Sequence, residues 1–254
     1  RVGISGFFNM PMVVSHDQAS YVIPMNVNQP ASPVTPRQRK LQPPQIEAMF
    51  ATFHAVEPEP KGELNYENVY TLLVAVALSA QATDVSVNKA TARLFQEVTT
   101  PQQMLTLGEE QLKSFIKTIG LYNSKAKNII ATAKILVEEH NGQVPRDRDA
   151  LEALPGIGRK TANVVLQMYW GEPRVAVDTH VFRVANRTGL APGKTPLAVE
   201  KALEARIPQH VLAHSHHWLI LHGRYLCKAR KPECWRCPVS DFCCYRDKTE
   251  APLL

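Results

Sequence analysis

Four cysteines follow the spacing Cys227-x6-Cys234-x2-Cys237-x5-Cys243, so four thiols fall within 17 residues. Four thiolates in so short a loop can surround one metal site. The spacing alone accepts zinc or a [4Fe–4S] cluster, because both take four cysteines. A fifth cysteine, Cys244, stands beside the last of them, either as a spare thiol or as a competitor for the fourth position. A disulfide framework more often spreads its cysteines through a small secreted chain. Clustering after position 226 fits a metal or cluster site in a reducing compartment better.

A second concentration of chemistry is the string Leu154-Pro155-Gly156-Ile157-Gly158-Arg159-Lys160-Thr161-Ala162. Residues 148–168 read as helix, turn, helix, with Pro155 stopping the first helix. Gly156 and Gly158 permit backbone angles that a side chain would obstruct, and they let another molecule approach the main chain. The second helix starts near Arg159, so its free N–H groups and positive dipole end suit a phosphate. A tight helix–helix turn is the plainer reading. Lys160 sits in the first turn, where the dipole opposes a cation and should release a neutral, nucleophilic amine. The alternative is a surface lysine touching phosphate. Asp178 follows the extended run Val175-Ala176-Val177 and precedes a resumed helical pattern, which suits an N-cap. A carboxylate fixed that way, near an amine, could accept a proton or stabilise positive charge at an attacked carbon.

These residues need a scaffold. With 254 residues, 44% of them hydrophobic, the chain has room for one large domain or two small ones. The net charge of +6 favours a polyanionic partner. The longest strongly apolar run, 72–78, is far short of the roughly 20 residues that span a bilayer. Asn9 and Pro11 break the partly apolar stretch 6–14, so it does not read as a signal peptide. Prolines at 11, 24, 30, 33 and 36 mark residues 1–43 as a poorly ordered arm. Helical spacing then takes over. Ile46, Met49, Phe50 and Phe53 form one apolar face, and 68–80 reads as a mostly buried helix. Thr100-Pro101-Gln102-Gln103 is a helix start. Leu112, Phe115, Ile116 and Ile119 form a face that Gly120 should stop. Asn141-Gly142 should end the next helix. The run 175–177 is too short for a sheet, so the class is all-α. His214, His216 and His217 do not share a helix face as metal ligands would, so they read as packed or hydrogen-bonded residues.

The string from Leu154 through Val165, and Val177-Asp178-Thr179-His180-Val181-Phe182-Arg183-Val184-Ala185-Asn186-Arg187, resemble the helix–hairpin–helix DNA glycosylase/AP lyase family in its iron–sulfur branch. So do Leu78-Ser79-Ala80-Gln81, Leu121-Tyr122-Asn123-Ser124-Lys125 and His216-His217-Trp218 through Arg224; the resemblance spans about 45–248. It implies two helical lobes with a central cleft. Residues 62–172 would form a six-helix lobe with the hairpin, and 44–61 plus 173–248 the cluster lobe. It implies Lys160 as the amine that attacks sugar C1′ and Asp178 as the assisting carboxylate. Gln81 would fill the gap facing the orphaned base and Leu121 would wedge into the stack; a helix-end lining and a loop anchor are the plainer roles. Gly156, Gly158 and Arg159 would contact DNA. Resemblance selects a [4Fe–4S] cluster on Cys227, Cys234, Cys237 and Cys243, while Cys244 departs from the usual pattern. Lys228, Arg230 and Lys231, between the first two ligands, would face phosphates or form an ordinary solvated turn.

The implied activity is base-excision repair by a bifunctional enzyme. It would be an N-glycosylase for oxidised pyrimidines and an AP lyase that cuts the strand by β-elimination through a lysine Schiff base. Its partner would be double-stranded DNA containing oxidised pyrimidines or abasic sites, met by a monomer with no membrane attachment. It would work in the bacterial cytoplasm on the nucleoid, or in a nucleus or mitochondrion if eukaryotic. Adenine-removing mismatch relatives lack a lysine at this position. A non-catalytic hairpin binder would need neither Lys160 nor Asp178, and an iron–sulfur electron carrier would not need the hairpin.

Overall fold

The structure, a computed structural model, describes residues 40–252. The expected arm 1–43 therefore lies outside the described residues apart from 40–43. Those few belong to the fold: Leu41 is buried, and its N–H donates to the Gly189 carbonyl at 3.0 Å. Contacts of the described fold are thus made before the expected boundary at 44.

The first helix, α1 (Pro43–Val56), buries Ile46, Met49, Phe50 and Phe53, the face its spacing specifies. Each such side chain contributes about 1.5–3 kcal/mol when fully buried. Seven helical segments then share one core: α2 (Val69–Leu78), α3 (Asp84–Glu97), α4 (Pro101–Leu107), α5 (Glu109–Ile116), α6 (Tyr122–Glu139), α7 (Arg148–Glu152) and α8 (Arg159–Trp170). That is one more than the six expected, and only Gly108, at φ +80°, separates α4 from α5. The start of α4 is a capping box: Thr100 Oγ1 accepts from Gln103 N at 3.2 Å, and Gln103 Oε1 accepts from Thr100 N at 3.1 Å. The end of α5 departs from expectation. It stops at Ile116, and Ile119 is buried from a turn rather than from the helix. Gly142, at φ +74°, closes α6 by donating to the Leu136 carbonyl at 2.7 Å.

A second core gathers α1, α9 (Thr179–Thr188), α10 (Pro196–Arg206), α11 (Gln209–Tyr225) and Val239. No strand occurs among the described residues. The strand-like run has a different explanation. Val175 and Val177 enter the second core while Ala176 enters the first. An extended chain alternates its side chains, so this segment serves both cores at once. It delivers Asp178 to the junction between them.

Candidate active site and cluster loop

Both cores contribute walls to a cavity of about 610 Å³. Lys160, from α8, and Asp178, ahead of α9, line it together. Helix α8 begins without a side-chain cap, at Gly158, so its first N–H groups stay open to an anion. The half-buried Lys160 amine has no hydrogen bond or ion pair among the described residues. Burial lowers its pKa; Asp178 and Asp84 oppose that shift, and Arg224 adds to it. The dominant cause is thus desolvation by the two cores, with the helix end acting in the same direction. Asp178 Oδ1 accepts from Val181 N at 2.7 Å, which makes it the N-cap its position suggests.

Neighbouring residues hold this pair in place. His216 is buried, with Nδ1 3.0 Å from the Ala176 carbonyl. A carbonyl only accepts, so Nδ1 carries the proton, and the ring braces the segment that leads to Asp178. Burial holds its pKa well below the ordinary histidine value. Burial also pushes His217 down to about 4. These rings are wall and brace, as their spacing implies. At the mouth, Arg224 of α11 pairs with Asp84 of α3 at 2.8 Å and with Glu63. This clamp is absent from the sequence reading: its partners lie 140 and 161 residues apart, beyond any local period.

Two turns, one of them lining the cavity, carry unusual backbone. Gln81 (φ +57°) and Leu121 (φ +59°) both adopt the left-handed conformation that non-glycine residues rarely occupy. Leu121 caps α6 and is 60% exposed, so it is not a buried anchor. Gly156 also has positive φ (+76°), and a Cβ there would lie 2.6 Å from Asn128 Nδ2. Gly158 differs from expectation. Its φ of −97° suits any residue, and a Cβ would meet nothing within 4 Å. What its missing side chain supplies is open space at the start of α8. Arg159 differs too. Its guanidinium is committed to buried Glu200 of α10, with Nη2–Oε1 at 2.6 Å and Nε–Oε1 at 2.9 Å. The side chain ties the two halves of the site, and its main-chain N–H lies at the uncapped start of α8.

Cys227, Cys234, Cys237 and Cys243 line one gap, and Cys244 does not. Instead Cys244 N donates to the Thr188 carbonyl at 3.1 Å, and its side chain packs on the second core. All five thiols are free of disulfides. Burial pushes Cys237 up to about 11; the Val239 N–H opposes this, and the other three thiols add to it. Four cysteine sulfurs lining one gap are the soft donors that a metal cluster takes, so the donor set fits such a group. Two arginines, also missed in sequence, fasten the loop to α9. Arg183 Nε donates to the Cys227 carbonyl at 2.8 Å, and Arg187 Nη1 to the Lys228 carbonyl at 2.6 Å. Lys228 is ion-paired with Glu233, whereas Arg230 and Lys231 are exposed without partners among the described residues.

The model of the HhH-GPD superfamily base excision DNA repair proteins matches residues 74–209. Endonuclease III of Escherichia coli (strain K12) is 60% identical over 193 residues, covering 76% of this chain and 92% of that protein. Endonuclease III of Rickettsia conorii is 60% identical over 200 residues, covering 79% and 95%. The chain belongs to the endonuclease III family. A trapped endonuclease III–DNA covalent intermediate has the same architecture, with a TM-score of 0.75 and 45% identity over 80% of this chain and 96% of that one. A thermostable thymine-DNA glycosylase, 24% identical, shares the fold at a TM-score of 0.72, covering 81% of this chain and 98% of that one. The iron–sulfur binding domain of endonuclease III matches residues 227–243, so the loop's cofactor is a [4Fe–4S] cluster and the zinc reading closes. As an endonuclease III family member, the chain is a base-excision repair DNA glycosylase and AP lyase. The Escherichia coli and Rickettsia conorii relatives are bacterial, and no described helix is long and apolar enough to cross a membrane.

Proposed function

We propose that this enzyme removes oxidised pyrimidines, such as thymine glycol, from duplex DNA and then cuts the strand, with Lys160 as nucleophile and Asp178 as its carboxylate partner. The observation that carries this reading is an unpartnered, desolvated amine and a capped carboxylate lining one cavity of about 610 Å³. That volume lies within the roughly 300–1,000 Å³ of small-ligand sites and suits one extruded nucleotide. The Lys160 Nζ lone pair attacks C1′, and the glycosidic carbon–nitrogen bond breaks, its electron pair leaving with the base. Asp178 takes the ammonium proton. Ring opening gives a Schiff base. Loss of a C2′ proton then expels the 3′ phosphate by β-elimination, and hydrolysis frees the lysine.

Around this chemistry, DNA crosses the cavity mouth. Gln81 faces the orphaned base and Leu121 enters the stack. The main-chain N–H groups of Gly156, Gly158 and Arg159 approach phosphate, with Gly158 leaving space for it. Arg230 and Lys231 extend the phosphate track; Lys228 joins once released from Glu233. The two cores support lobes near 62–172 and 44–61 plus 173–248. The enzyme acts as a monomer, on the chromosome of a bacterial cytoplasm.

The direct test is a duplex with one thymine glycol, incubated with and without borohydride. Base release, strand cleavage and a covalent borohydride-trapped complex are all expected. Release of adenine from a mismatch, with thymine glycol untouched, would overturn the lesion assignment.

Cys227, Cys234, Cys237 and Cys243 are assigned as the cluster ligands, because these four share the gap that Cys244 avoids. Alanine at any of the four should lower iron content and weaken the broad visible absorbance of the centre. Cys244→Ala should retain both. Iron loss in Cys244→Ala comparable to that in Cys243→Ala would break the ligand assignment.

A further inference from the structure

Helix α2 ends at Leu78, and its last carbonyls need partners. Ser79 N takes those of Ala75 and Val76. The carbonyls of Leu78 and Ala80 are taken by a side chain from a different helix: Lys125 Nζ donates to them at 2.9 and 2.7 Å. The next residue is Gln81, in its left-handed conformation. The main chain of Lys125 is equally committed. Its N–H donates to the Leu121 carbonyl at 3.0 Å, the bond that starts α6 behind the left-handed Leu121. One residue is therefore bonded to both turns.

Lys125 is buried, although its place in the first turn of α6 reads as an ordinary surface lysine. It lines an apolar cavity of about 180 Å³ whose edges include Ala80 and Leu121. Among the described residues lining that gap, no other residue hydrogen-bonds to both turns. A buried amine is costly unless its donors are satisfied, and carbonyls at a helix C-terminus are the favourable partners. Burial lowers its pKa.

We infer that Lys125 is a positioning residue that fixes the Gln81 and Leu121 turns relative to one another, so that both reach the opened base pair together. This rests on the reading above in which those two residues enter the duplex. It predicts a defect confined to substrates that must be opened. A displaced group far from the chemistry can cost on the order of a hundredfold when alignment matters. A single-stranded abasic site has no partner base and no closed stack, so it should not sense the turns.

The experiment uses the full chain with its cluster, and compares kcat/KM on a thymine glycol duplex with cleavage of a single-stranded abasic oligonucleotide. Lys125→Met keeps length and packing but removes the donors. It should lose about ten- to a hundredfold on the duplex and about twofold or less on the single strand. Lys125→Arg keeps charge and donors but shifts the head group, so it should show the same pattern more weakly. Parallel losses on both substrates in the folded variants would reduce Lys125 to a structural residue, and no loss in either variant would remove it from the mechanism. Leu121→Ala and Gln81→Ala separate the two levels. If they spare duplex activity, the reading of the turns fails. If they impair it and the Lys125 variants do not, only the positioning role fails.

Discussion

Lys160→Gln should bind a thymine glycol duplex and leave it uncut. The amide has similar length but no nucleophilic lone pair on its nitrogen. Base release and strand cleavage should both fall below about 10⁻³ of wild type, since one amine serves both steps. Borohydride should trap no complex. Affinity should change little, because one cation among several phosphate contacts carries a small share of binding. Stability should not fall either. The Lys160 ammonium is desolvated without a close partner, and removing such a charge relieves a cost. The pH profile of the wild type tests the same assignment. A depressed pKa makes the amine neutral at lower pH than an ordinary lysine. The single-turnover rate should therefore rise with pH and level off below the usual lysine range. A variant trapped at wild-type yield would mean that another amine performs the attack.

Local pattern carried much of this structure. The α1 face and the Thr100–Gln103 box are functions of neighbours three and four positions apart, and both appear as written. The cap at Asp178 is equally local. Sequence reasoning failed where contact distance is long. The Arg159–Glu200 pair, the Lys125 bridge and the Arg224 clamp join residues 41, 45–47 and 140–161 positions apart. No period records such meetings. The Gly120 stop failed for another reason. Glycine marks where a turn is easy, yet here Leu121, beside it, adopts the positive φ. Even the lowered pKa of the Lys160 amine is only half legible in the sequence. Its helix position is in the string, while the larger effect, desolvation, needs both cores assembled around it.

Asp178→Asn separates the two duties of that carboxylate. Asparagine still offers an oxygen to Val181 N, now 2.7 Å from Oδ1, so the N-cap survives. Its stability should drop by no more than about 1 kcal/mol, whereas Asp178→Ala, which loses the cap, should drop by about 0.5–2 kcal/mol. The chemistry should respond in the opposite order to what amine availability alone predicts. Asp178 raises the Lys160 pKa, so neutralising it should move the amine's titration to lower pH and leave more of it neutral. The plateau rate should nonetheless fall by roughly 10²–10⁴, because the proton acceptor and the negative charge beside the developing sugar cation are gone. Single-turnover rates across pH read both effects at once. A profile that shifts to lower pH with an undiminished plateau would limit Asp178 to tuning the lysine. A lowered plateau on a shifted profile assigns it to the reaction itself.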